Sequence, residues 1–129
     1  MNISFVIPCL NSELIIKSSV KKLTKKLKKI KNLNYELILI DDGSSDKTNK
    51  IINGLKKKKI KIITNSTNLG KSTSLIKGIK LAKFKKIIII DCDLPYFKYL
   101  SELINHLKKH NLVYINRKSP ESRLETRRL

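Results

Sequence analysis

The sequence is short of acidic residues, aromatic residues and cysteine, and each shortage excludes a class of protein. Ten acidic residues face 29 basic ones, which leaves a formal net charge of +19 in 129 residues. Aromatic residues make up 5% of the chain and tryptophan is absent, so little is available for stacking on nucleic-acid bases. The two cysteines, Cys9 and Cys92, are too few for a disulfide framework or a cysteine-rich metal site. We interpret them as reduced, mostly buried packing residues.

Long apolar runs are also missing. No run approaches the roughly 20 residues that cross a bilayer. The apolar start, residues 3–10, is interrupted by Pro8 and lacks the basic leader of a signal peptide. We therefore expect a cytoplasmic protein. Its lysines concentrate within residues 21–31 and 56–61, where they favour a loose attraction to acidic lipid head groups at the inner membrane face over dedicated nucleic-acid binding.

Five short apolar runs rich in β-branched residues recur along the chain, and helical patterns separate them. The runs are continuous rather than alternating, which is typical of strands covered on both faces. Apolar residues recur every three or four positions from Ile16 to Ile30, which predicts a helix with Ser12 as its N-cap, and Asp46 is placed to cap the second helix. The five runs are residues 3–7, 35–40, 60–64, 87–90 and 112–115.

This alternation of strands and helices predicts the fold class. The order βαβαβαβαβ is typical of a single α/β domain with a mostly parallel sheet and helices on both faces. Residues 118–129 lose the periodicity and form a basic tail, which we expect to be mobile. The predicted domain is therefore residues 1–117.

Polar segments follow the first four predicted strands. The carboxyl ends of parallel strands meet at one edge of the sheet, where open α/β folds bind ligands. The fourth strand runs directly into Asp91 and Asp93, and two carboxylates beside a diphosphate are a common way to hold Mg2+ or Mn2+. The same pair would also suit a turn or a helix cap. The other three strand ends carry the segments PCLNSE, DDGSSD and NSTNLGK.

In order and spacing, four segments resemble the nucleotide-sugar domain of family 2 inverting glycosyltransferases, and in particular the dolichyl- or polyprenyl-phosphate mannosyl- and glucosyltransferases. The segments are ISFVIPCLNSE, ELILIDDGSSDKT, NLGKSTSLIKGIKLA and IIIIDCDLPY. The resemblance covers residues 1–117 and implies the GT-A fold of nucleotide-diphospho-sugar transferases, shortened at its C-terminal end. It also implies metal-dependent inverting transfer of a hexose from a UDP- or GDP-sugar to an acceptor such as a polyprenyl phosphate or a growing cell-envelope glycan.

The resemblance implies roles for particular residues. Asp91 and Asp93 match the family's DXD motif and are the catalytic and metal-binding candidates: Asp93 would bind Mg2+ or Mn2+, and Asp91 would hold the donor ribose or the water shell of the metal. Asp41 resembles the carboxylate that contacts the base, while Asp42 would support the turn. The donor-binding candidates are Pro8, Asn11, Glu13, Asp41, Asp42, Lys71, Asp91, Cys92 and Arg117.

Two departures from the family pattern matter. Pro95 stands where many relatives have an amide or hydroxyl ligand two residues after the motif, so water or a substrate oxygen would have to complete the metal shell. The chain also ends before the segment that supplies the acceptor site in this family and, in members with a protein base, the catalytic carboxylate. An acceptor that is already an anionic lipid phosphate needs no general base, so that subclass is the least affected.

Other interpretations stay open. An inactive nucleotide-sugar-binding module, or one part of a split enzyme, would carry the same donor motifs. The sequence around Lys71 resembles the end of an NTPase phosphate loop, but Asn65 stands where that loop requires glycine. His106 and His110 have a spacing that can bind zinc on a helix, but no third ligand is evident and a solvated helix face is the simpler interpretation.

Overall fold

The structure is a computed structural model that describes residues 1–110, 112–116 and 123–127, and it divides into the units Met1–Pro95 and Tyr96–Leu129. The first unit alternates strands and helices as predicted. Its elements are β1 (Asn2–Cys9), α1 (Ile16–Lys28), β2 (Asn34–Asp41), α2 (Thr48–Gly54), β3 (Ile60–Thr64), α3 (Lys71–Leu81) and β4 (Lys86–Ile89).

The four strands of this unit form a parallel sheet in the order β3-β2-β1-β4, which places β1 between β2 and β4. On one face, Val6 and Ile38 are fully buried and pack with Leu75 of α3. On the other face, Ile7 of β1 lies beside Val20 of α1. Apolar side chains are thus needed on both faces of the central strands, because helices cover both. The prediction of a parallel α/β sheet is confirmed.

The first helix begins later than its predicted cap. The N-cap residue of α1 is Ile15, whose side chain makes no capping hydrogen bond. Ser12 instead accepts the backbone N–H groups of Ile15 and Ile16 on its carbonyl, at 3.1 and 2.9 Å. The prediction that Ser12 caps α1 with its side chain is therefore wrong, because an extra turn separates Ser12 from the helix. The N-cap residue of α2 is Lys47 rather than the predicted Asp46, although Asp46 accepts the Thr48 N–H at 2.9 Å from the position before it.

The second unit contains one turn of 3-10 helix (Phe97–Tyr99), α4 (Leu100–His106), β5 (Leu112–Asn116) and β6 (Arg123–Arg127). β5 pairs antiparallel with β6 in a two-stranded sheet, rather than as a fifth parallel strand. β6 lies in the stretch for which the sequence predicts no element. The predicted boundary at residue 117 lies outside the described residues and stays a prediction. Within the described ranges, none of the helices is both long enough and apolar enough to cross a membrane.

Candidate functional site

A pocket of about 620 Å³ lies where the strand ends of the first unit meet. Segments that follow β1, β2, β3 and β4 all contribute to it, because parallel strands end at the same edge of a sheet. The lining residues are Pro8, Cys9, Leu10, Ser12, Ile15, Asp42, Asn68, Gly70, Lys71, Asp91, Cys92 and Asp93. Six of the predicted site residues are therefore brought together, namely Pro8, Asp42, Lys71, Asp91, Cys92 and Asp93.

The two carboxylates of the DXD motif follow β4 and face a lysine. Lys71 Nζ donates to Asp91 Oδ1 at 2.5 Å, and the two side chains are 57% and 30% exposed. Asp93 is exposed. Among the described residues, no three His, Cys, Asp or Glu side chains converge on a possible metal position. Two carboxylates nevertheless fit a divalent cation whose remaining ligands are diphosphate oxygens and water, since hard cations take oxygen ligands from substrate as well as protein.

Asp42 organises the loop between β3 and α3. It is 4% exposed, and its Oδ1 accepts the Leu69 N–H at 2.8 Å and the Asn65 side-chain amide at 2.9 Å. Burial on its own would raise the pKa of Asp42, but hydrogen bonds from Leu69, Asn65 and Ser74 lower that pKa below its ordinary value. The carboxylate is therefore ionised at neutral pH and holds the loop that carries Lys71.

Gly43 brings the turn after β2 directly against the same loop. Its φ is +71°, and a Cβ at this position would lie 2.3 Å from the carbonyl carbon of Thr67 and 2.5 Å from the nitrogen of Asn68. Only glycine allows both this backbone conformation and this approach. This contact fixes the position of the β3–α3 loop relative to the turn after β2.

Three predicted donor-binding residues do not line the pocket and instead hold the turn after β2. Asn11 Oδ1 and Glu13 Oε2 each accept a backbone N–H of this turn at 2.9 Å. Asp41 is 1% exposed and accepts another backbone N–H of the turn at 3.0 Å. Their predicted contacts with the base and ribose stay predictions. Arg117, the remaining candidate, lies outside the described residues.

Cys9 and Cys92 come from the ends of the neighbouring strands β1 and β4, and the Cys9 thiol donates to the Ile7 carbonyl at 3.5 Å. Ser12 Oγ lies 3.1 Å from Cys92 Sγ. The nearby Cys9 and Ser12 side chains lower the pKa of Cys92 to about 6, against the opposing effects of burial and of the two neighbouring aspartates. The pKa of Cys9 is raised by the neighbouring Cys92 thiol and by burial. Both cysteines line the pocket, but Cys9 is buried whereas Cys92 is partly exposed.

Sequence reasoning missed three polar residues that support the site. Ser12 fits the pattern of a helix cap, which concealed its place in the pocket lining. Asn65 and Ser74 are buried and hydrogen bonded to each other at 3.0 Å. One available signal was a polar residue, Asn65, directly after a strand. Another was Ser74, which lies on the face of α3 that also carries Gly78.

The sequence has relatives among known glycosyltransferases. Residues 4–128 match the profile described as Glycosyl transferase family 2. An uncharacterized glycosyltransferase of Bacillus subtilis (strain 168) is 34% identical over 93 residues, covering 70% of this chain and 28% of that protein. A dolichyl-phosphate beta-glucosyltransferase of Dictyostelium discoideum is 27% identical over 122 residues, covering 85% of this chain and 37% of that protein.

The fold has counterparts among solved structures. The crystal structure of glucosyl-3-phosphoglycerate synthase from Mycobacterium tuberculosis with Mn2+, UDP and glucosyl-3-phosphoglycerate is similar, with a TM-score of 0.63 and 27% identity over 85% of this chain and 40% of that one. The chain thus spans between 28% and 40% of the length of these three proteins. Its parallel sheet with helices is that of the GT-A transferases. Because the profile match extends over nearly all its residues, the chain belongs to glycosyltransferase family 2.

Proposed function

We propose that this chain forms the donor-binding part of a metal-dependent glycosyltransferase, which transfers a hexose with inversion from a UDP- or GDP-sugar. The observation that carries the proposal is the convergence of Asp91, Asp93 and Lys71 on one pocket of about 620 Å³. The similarity to an enzyme whose crystal structure holds Mn2+ and UDP supports it.

The charged residues of the pocket have different chemical roles in this proposal. Asp91 and Asp93 would hold Mg2+ or Mn2+, which supplies charge stabilisation to the departing diphosphate. Lys71 is the first residue of α3, so its ammonium and the positive end of the helix act on the same anion. Asp42 positions this lysine through the loop before it. Pro95 offers no side-chain ligand, so water or donor oxygens would have to complete the metal shell.

The acceptor in this proposal is a polyprenyl phosphate or a growing glycan. The relative named dolichyl-phosphate beta-glucosyltransferase supports a lipid phosphate. Such an acceptor is already anionic, so no protein group has to remove a proton from it. Exposed lysines along α1 would draw a cytoplasmic protein towards an acidic membrane face; they include Lys21, Lys25 and Lys28. Each lysine near such a surface contributes about 1 kcal/mol to the free energy of membrane binding.

The metal assignment is tested by Asp93→Ala. UDP binding is measured by calorimetry with and without Mn2+. In the presence of Mn2+, we expect the variant to bind UDP at least about tenfold more weakly than the unmodified chain, because losing a residue that supports a metal site typically has an effect of this size. Because Asp93 is exposed, its thermal unfolding should match that of the unmodified chain. Glu102→Ala removes an exposed carboxylate of α4, outside the pocket lining, and serves as the control. An Asp93→Ala variant whose UDP affinity responds to Mn2+ as strongly as that of the unmodified chain would overturn the assignment.

A transfer assay separates the enzyme from the binding module that the sequence leaves as an alternative. Purified protein is incubated with Mn2+, labelled UDP- or GDP-sugars and polyprenyl phosphate. Release of UDP or GDP together with labelled lipid supports the enzyme. Binding of the donor without transfer to any acceptor favours the module.

A further inference from the structure

We propose that Lys71 makes the pocket select the complex of metal and nucleoside diphosphate over either component alone. The lysine neutralises Asp91 while the pocket holds neither component, and it exchanges this carboxylate for a donor phosphate when both bind. The inference rests on the proposed donor and metal site and deepens it, because it assigns the form in which the substrate is recognised.

The geometry allows the head of Lys71 to move while its backbone stays in place. The backbone is anchored on one side by α3 and on the other by the Leu69 N–H, which Asp42 accepts at 2.8 Å. The side chain is 57% exposed, and its ammonium reaches Asp91 from across the pocket. A lysine side chain carries a compact charge on a flexible four-carbon stem, so the ammonium can change partners while the loop backbone stays in place.

The charges that face the pocket make the exchange necessary. Its lining contains three carboxylates and one ammonium, that of Lys71. The Asp42 carboxylate is buried and bound by the loop, so the charges left for a ligand are Asp91, Asp93 and Lys71. A divalent cation that arrives alone must compete with the ammonium for Asp91 and is repelled by it. A diphosphate that arrives alone meets two carboxylates. Arriving together, the cation pairs with Asp91 and Asp93 while the Lys71 ammonium pairs with a phosphate oxygen.

The test is the variant Lys71→Met, which keeps an unbranched side chain one atom shorter and removes its charge. Calorimetric titration with MnCl2 alone should give about two- to fivefold tighter binding than in the unmodified chain, which corresponds to the worth of a partly exposed ion pair. Titration with UDP in saturating Mn2+ should give about tenfold weaker binding, since a charge-assisted hydrogen bond to phosphate is lost. The two affinities therefore move in opposite directions.

Lys80→Met changes an exposed lysine in the last turn of the same helix and should alter neither affinity. Lys71→Arg keeps the charge, so its affinity for Mn2+ alone should be as low as that of the unmodified chain. If Lys71→Met leaves the affinity for Mn2+ alone unchanged or weakens it, the exchange is refuted. If the unmodified chain binds no UDP in the presence of Mn2+, it is the proposed function that fails, so the two failures are distinguishable.

Discussion

Replacing Gly43 by alanine tests whether the turn after β2 and the loop before α3 hold each other in place. The substitution places an L residue at a φ of +71°, which costs about 1–2 kcal/mol. The new Cβ would also lie 2.3 Å from the carbonyl carbon of Thr67, so the loop before α3 has to move. Movement breaks the bonds that Asp42 accepts from this loop, and one hydrogen bond to a charged group contributes about 1.5–3 kcal/mol. The expected loss is therefore at least about 2.5 kcal/mol.

Equilibrium unfolding in urea measures this loss, and at a slope of about 1–2 kcal/mol per molar the midpoint should fall by more than about 1 M. Gly43→Asn is the matched control. Asparagine tolerates positive φ, as Asn11 and Asn32 do in this chain at 47° and 57°, but it carries the same Cβ. Both variants should lose stability and bind UDP more weakly, but the asparagine variant should lose less, because it avoids most of the backbone strain. An asparagine variant as stable as the unmodified chain would refute the contact and leave backbone strain as the only cost.

Two further predictions concern titration and reactivity. Burial would raise the pKa of Glu36, but its ion pair with Lys61 at 2.8 Å and its bonds with Ser4 and the Lys83 N–H lower it, as the loop bonds do for Asp42. Folding lowers the pKa of Glu36 below its ordinary value of 4.5 and that of Asp42 below 3.8. Each carboxylate therefore contributes its full stabilisation above its ordinary pKa, and the contribution is lost as the pH falls through the folded pKa. The free energy of unfolding should therefore stay level from neutral pH to about pH 5 and then decline, less steeply in Glu36→Gln; an identical decline in that variant contradicts the assignment. Iodoacetamide should label Cys92 before Cys9, which is 1% exposed, and UDP with Mn2+ should slow the labelling. Mass spectrometry that finds equal labelling, or no protection, would count against the pocket.

The strands of the sheet could be predicted because their surroundings leave a clear pattern. Leu37 to Ile40 are each 0% exposed, and a strand covered on both faces has to be apolar at every position. β6 leaves no such pattern. Residues 123–127 include a single leucine among charged and polar residues, and its ladder with β5 depends on backbone groups that every residue possesses. The convergence of the polar strand ends was predictable for a different reason, because parallel strands end at the same edge of the sheet.

The division of roles within the site was less accessible. Asp41 and Asp42 are adjacent, and successive side chains of a strand point to opposite sides, so one of the pair turns towards the pocket and the other away. Which one does so depends on the register of β2 with its neighbours, where Asp41 stands opposite Cys9 and Thr64. A linear sequence does not contain that register. Ser12 was misjudged for a related reason, because the cap pattern takes no account of the length of the loop before a helix.

The strand order β3-β2-β1-β4 also determines when the pocket comes into being. β2 and β3 join the sheet beside their neighbours in the chain, but β4 must return to β1, and the bond from the Phe84 N–H to Ser4 Oγ spans 80 positions. Closing such a long loop costs more entropy and slows folding. A chain emerging from the ribosome can therefore assemble three strands and still possess no binding site. Asp91 and Asp93 complete the pocket only when the last strand of the unit has joined the first.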